Sequence, residues 1–103
     1  MSMTSSQIEY IQLSTSAIAD VLTGNIATFT NRTIATPPID FRNLQKRDFK
    51  VYLNNRRIPD LYVDYVNQVG SNIDVLVNVA EFLDIPNAIF EEDDEVMLIG
   101  KFS

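Results

Sequence analysis

Five consecutive carboxylates, Glu91-Glu92-Asp93-Asp94-Glu95, form the densest group of potential ligands in this 103-residue chain. Carboxylate oxygens are what a hard divalent cation takes, several at a time. The spacing is not that of a calcium-binding helix–loop–helix, which alternates its oxygen ligands around a central glycine and adds a later glutamate. Five adjacent like charges repel one another and favour water, so the run reads as a soluble turn guarding the apolar segment that follows. No metal is expected there.

A second cluster is cationic. Arg42, Lys46, Arg47 and Lys50 alternate with Phe41 and Phe49, a mixture that on nucleic acid would supply phosphate contacts and base stacking. Asp40 and Asp48 lie in the same stretch, and the formal net charge is −6, which opposes phosphate binding. These cations are expected to pair with carboxylates, within the chain or across an interface, and no nucleic acid is expected as a partner. Tyr52, Tyr62 and Tyr65 could line a sugar-binding face. Tyrosines in strands more often pack at the edge of a core, and there is no tryptophan.

The remaining chemistry is thin. There is no cysteine and no histidine, which removes disulfides, thiolate nucleophiles, zinc–sulfur sites and the commonest proton-transfer side chain near neutral pH. Glycine occurs only at positions 24, 70 and 100, too sparsely to cradle a phosphate. Carboxylate-only mechanisms need a cleft that a single domain of this length rarely builds. The chain therefore reads as a non-enzyme that needs no cofactor and works through its surface.

That surface is polarised. Seven of eight basic residues fall between Arg32 and Arg57, and ten of fourteen acids lie from Asp60 onward. Such asymmetry suits subunits that meet head to tail, or an ordinary solvated surface with chance clustering. No apolar run is long enough to cross a bilayer, and the N-terminus lacks a basic segment followed by a hydrophobic one. Synthesis in a cytoplasm, with no membrane partner, is the expectation.

The elements that must position these groups are mostly strands. Twelve of the first 36 residues are Ser or Thr, which fit pleated sheet better than helix. Gln7 to Leu13 could be a strand. Ser14 to Thr23 is ambiguous, since Ile18, Val21 and Leu22 stand at helical spacing before Gly24. Ile26–Thr30 and Thr33–Thr36 read as short strands, and Pro37-Pro38 ends the segment. Residues 1–38 are thus either an N-terminal arm that packs along a neighbour or the first strands of the same domain; residues 39–103 are an antiparallel β module.

In that module Phe49, Val51 and Leu53 share a buried face, and Asn54-Asn55 offers a turn tolerant of left-handed backbone. Leu61, Val63 and Tyr65 share one face of the next strand, with Tyr62, Asp64 and Val66 opposite. Gly70-Ser71 predicts a tight hairpin. Ile73, Val75, Val77 and Val79 alternate strictly with Asn72, Asp74, Leu76 and Asn78, the clearest strand pattern in the chain. Ala80–Ile85 could make one helical turn. Val96 to Phe102 is apolar on both faces, so it is either central and covered on both sides or buried between subunits. The fold class expected is mainly β: a small antiparallel sandwich or barrel with one or two short helical segments.

The stretch Phe49-Lys50-Val51-Tyr52-Leu53-Asn54-Asn55-Arg56-Arg57-Ile58, followed by Tyr62-Val63-Asp64-Tyr65, Ile73-Asp74-Val75 and Asp93-Asp94-Glu95-Val96-Met97-Leu98-Ile99-Gly100, resembles a β module of tailed-bacteriophage virion proteins. In that module a "V-x-L-N-G-x-R" strand precedes "D-Y", "I-x-V" and "G-D-x-V-x-L" strands. Asn55 and Asp93 stand where it has glycine. The resemblance covers about half of the chain. It implies a structural protein of a tail fibre, appendage or capsid decoration, made in the bacterial cytoplasm and placed on the virion. A homo-oligomer, with a trimer first among the states, meeting other virion proteins is the partner expectation. The alternative it leaves open is a host-facing module for a glycan or receptor. Arg56, Arg57, Met97, Ile99 and Phe102 are the candidate interface residues.

Overall fold

The computed structural model describes residues 14–34 and 48–103. Among these residues eight strands form two four-stranded antiparallel sheets: β1 (Ser14–Ile18), β2 (Val21–Thr23), β3 (Ile26–Phe29), β4 (Lys50–Leu53), β5 (Arg56–Ile58), β6 (Val63–Val69), β7 (Asn72–Val77) and β8 (Val96–Lys101). The first sheet has the order β1-β8-β4-β5 and the second β2-β3-β7-β6. Among the described residues a 3-10 turn, Asp60–Tyr62, precedes β6 and a short helix, α1 (Val79–Leu83), follows β7. Val79, expected to continue that strand, opens the helix instead, where Asn78 Oδ1 accepts from Glu81 N–H as its cap. The architecture is a small β-sandwich. One apolar cluster joins the inner faces, with Val51, Leu53, Ile58 and Leu98 from the first sheet against Phe29, Val66, Ile73 and Val75 from the second.

Period-2 burial explains most of the strands. In β7, Ile73, Val75 and Val77 point inward, and in β8 Val96, Leu98 and Gly100 do so. Three two-residue hairpins join neighbours, each with the residue types its backbone requires. Asn54 and Asn55 both adopt positive φ, 50° and 69°, between paired Leu53 and Arg56, the arrangement of a type I′ turn. At Gly24-Asn25 and Gly70-Ser71 only the glycine has positive φ, as in type II′ turns.

Tertiary pairing resolves the ambiguity at Ser14–Thr23 against a helix. β1 runs beside β8 from Ser14↔Lys101 to Ile18↔Met97, and β2 beside β3. Between them the chain changes sheet in two residues: Ala19 N–H donates to Val96 O at 2.8 Å in the first sheet, and Asp20 N–H to Thr28 O at 3.0 Å in the second. Ile18 and Val21 consequently face solvent, 47% and 46% exposed, while Leu22 packs on the core. The stretch expected as a strand at Gln7–Leu13 lies outside the described residues, as do Ala35 and Thr36.

A second correction concerns β6. The expected face of Leu61, Val63 and Tyr65 is broken by a register shift between Val63 and Tyr65. The bulge adds a residue, so Val63 and Val66 are the buried pair and Tyr65 turns outward. Leu61 belongs to the 3-10 turn and is 78% exposed.

At one end the sheets are tied by the C-terminus. Ile34 bridges Phe102, and Thr33 and Ser103 exchange both backbone hydrogen bonds, at 3.1 and 2.9 Å. Gln68 secures this closure. Its Oε1 accepts from Ile34 N–H at 2.7 Å, and its Nε2 donates to the carbonyls of Arg32, Gly70 and Asn72 at 2.8, 3.0 and 3.1 Å.

Candidate interaction surface

The acidic run is a closed turn. Asp94 Oδ2 accepts from Glu91 N–H at 2.8 Å, and Asp94 N–H returns a bond to Glu91 O at 3.0 Å. Asn54 grips the same turn from the β4–β5 hairpin: Nδ2 donates to Asp94 Oδ1 at 3.0 Å, Oδ1 accepts from Glu95 N–H at 2.9 Å, and Asn54 N–H donates to Glu95 O at 2.8 Å. Asp94 is thereby committed to fixing the backbone. Glu91, Glu92, Asp93 and Glu95 stay exposed, which explains how five adjacent carboxylates are tolerated: four lie in water and one is hydrogen-bonded. No group of three or more metal-ligating residues converges among the described residues.

Of the cationic cluster only Phe49 and Lys50 are described, and the three tyrosines are not brought together as a sugar platform. Phe49 is 4% exposed within the core, so its ring cannot stack on a base, while Lys50 beside it is exposed. Arg42, Lys46, Arg47 and Phe41 lie outside the described residues. Tyr52 and Tyr65 stand on the outer faces of opposite sheets, and Tyr62 packs against Phe82 at 5.9 Å between ring centroids.

The candidate interface residues separate into three groups. Phe102 is withdrawn: it is 3% exposed, 6.3 Å from the Phe49 ring, because position 102 shares the inward parity of Val96 and Leu98. Arg56 lies over the Phe82 ring, 4.9 Å from its centroid, joining the edge of the first sheet to α1. Arg57, Met97 and Ile99 share one surface, the outer face of the first sheet.

Register defines that surface. Ile18 pairs with Met97, Met97 with Tyr52 and Tyr52 with Arg57, which makes one continuous row across all four strands. The next row is Ser16, Ile99 and Lys50. Met97, Ile99 and Tyr52 are half-buried, whereas Ile18, Lys50 and Arg57 are exposed. α1 lies against the Asp60–Tyr62 turn, away from these rows. With Lys101 at the far end of β8, the strand residues of this face carry three cations and no carboxylate, and exposed Asp48 stands just outside them, two residues before Lys50. Ile18 and Tyr52 were not among the interface candidates of the sequence, since their membership depends on which strands are neighbours.

The opposite sheet presents Val21, Thr28, Asp74 and Asn67 in one row, with Thr28 Oγ1 donating to Asp74 Oδ1 at 2.8 Å. The two outer faces thus differ in sign. No family model, curated protein or solved structure matches the chain.

Proposed function

We propose that this chain is a bacteriophage virion structural protein, a capsid decoration or tail appendage component. It works by assembly with copies of itself and with other virion proteins, not by catalysis. The observation that supports assembly is the outer face of the first sheet. A sheet with one core face ordinarily turns polar residues to water, yet this one turns out Ile18, Met97, Ile99 and Tyr52 at adjacent register positions. Covering that row by a neighbour would gain up to about 1.5–3 kcal/mol per side chain fully buried, less for those already half-covered, against the cost of association. The virion context rests on the sequence resemblance, and so does the trimer as the first state to test.

A glycan-binding alternative draws no support from the tyrosines, which occupy separate faces. Light scattering and native mass measurement over a range of protein concentrations test assembly, followed by mixing with empty phage capsids. A homo-oligomer that also binds capsids is the expected result. A monomer of 11.7 kDa persisting at high concentration would sink self-assembly, and indifference to capsids and tails would sink the virion role.

A further inference from the structure

We infer that the outer face of the first sheet receives a second copy of this chain, whose acidic turn, Glu91–Glu95, lies over Lys50 and Arg57. This rests on the assembly reading above and names the contact that carries it. Three observations converge. The face is cationic on a protein of net charge −6, with Lys50 and Arg57 exposed at either side of Tyr52. Neither makes an ion pair among the described residues. The strongest source of complementary charge in this system is the exposed turn of another copy, where Glu91, Glu92 and Asp93 project while Asp94 and Asn54 hold the backbone rigid. A preformed turn loses little freedom on docking.

Geometry favours an intermolecular contact. The acidic turn enters β8 from the side of the second sheet, where Phe90 N–H donates to Gly24 O at 2.9 Å, and is held at the strand start by Asn54. Lys50, Tyr52 and Arg57 lie instead on the outer face of the first sheet. A turn cannot fold back over its own face when Asn54 and the β8 register pin it at the strand end. Turn and face are therefore different patches set at an angle, and a contact between them is heterologous. Repeated contacts of that kind make a ring where the rotation closes. The apolar row of Ile18, Met97 and Ile99 would be covered as the cations are neutralised, which places desolvated apolar area beside charge complementarity.

The test uses the full chain and charge reversal at exposed positions, with circular dichroism confirming that each variant keeps the sheet spectrum. One variant carries Lys50→Glu and Arg57→Glu, a second Glu91→Lys, Glu92→Lys and Asp93→Lys, and a third all five. Sedimentation velocity over a concentration series reads self-association. Each partial reversal should weaken it about tenfold or more, and the five-fold reversal should restore it towards wild type. Global charge cannot mimic this pattern, because the first variant becomes more acidic and the second approaches neutrality. If the turn reversal leaves association unchanged, or the combined variant is as weak as the partial ones, the contact is wrong although assembly stands. A monomeric wild type overturns the contact and the assembly reading together.

Discussion

A Cβ placed on Gly100 would stand 2.6 Å from Cε1 of Phe49 and 3.1 Å from its Cγ. The glycine in the central strand β8 is therefore a space for a ring. Phe49 reaches across the backbone of β8 to meet Phe102, and both rings close the core where the C-terminus ties the two sheets. Contacts this short are met only by moving the ring or the strand. Gly100→Ala should destabilise by about 1–3 kcal/mol, read as a lower urea midpoint at unchanged slope. Phe49→Leu in the Gly100→Ala background should cost less than Phe49→Leu alone. Additive effects would show that the two positions do not share the space.

The Asn54 clamp separates backbone from side chain. Its φ of 50° suits glycine, so Asn54→Gly keeps the turn and the backbone bond to Glu95 O but loses the side-chain bonds to Asp94 Oδ1 and Glu95 N–H. About 1–2 kcal/mol should go. Asn54→Ala adds left-handed strain and should cost more. Asn55→Gly, at φ 69°, should be neutral or slightly stabilising, since glycine is the preferred residue there. Thermal melts of the three variants give the order directly.

Gln68 acts through both ends of its amide. Gln68→Ala leaves Ile34 N–H and several carbonyls without their partner and should cost about 1–3 kcal/mol. Gln68→Glu retains an acceptor but points a second oxygen at the carbonyls of Arg32, Gly70 and Asn72. It should not rescue stability at neutral pH. Hydrogen exchange at Ile34 N–H is the local readout, and unchanged protection in Gln68→Ala would refute the hub.

Arg56 and Phe82 form a cation–π pair at the edge of the sandwich. Because Arg56 is exposed, the pair should be worth about 0.5–1 kcal/mol. A double-mutant cycle of Arg56→Ala and Phe82→Leu measures it, and a coupling energy near zero would leave only the packing of Phe82 on Tyr62.

How much of this was legible beforehand depends on the range of the forces involved. Alternation in Phe49–Leu53 and Ile73–Val77 gave strands and inward parity, because a one-sided core imposes period 2 on every strand it touches. Val96–Phe102, apolar on both faces, read as a strand without showing which face turned in. The hairpins at Asn54-Asn55 and Gly70-Ser71 were equally local, since positive φ restricts which residues can stand there. The fold class followed from those two signals.

Ser14–Thr23 stayed ambiguous by the same logic. Helical spacing of Ile18, Val21 and Leu22 is a local pattern, but the chain changes sheet at Ala19-Asp20, and pairing with β8 and β3 overrode it. The bulge at Val63 and Tyr65 shifted a face by one residue, which only the partner strand could impose. The candidate surface was half visible. Met97 and Ile99 were marked by a strand apolar on both sides, whereas Ile18 and Tyr52 joined them only through the order β1-β8-β4. Sequence determines what each strand turns in and out within itself. Which residues then lie side by side across a sheet is set by long-range pairing, whose energy comes from burying the whole core at once and leaves no periodic trace in any one segment.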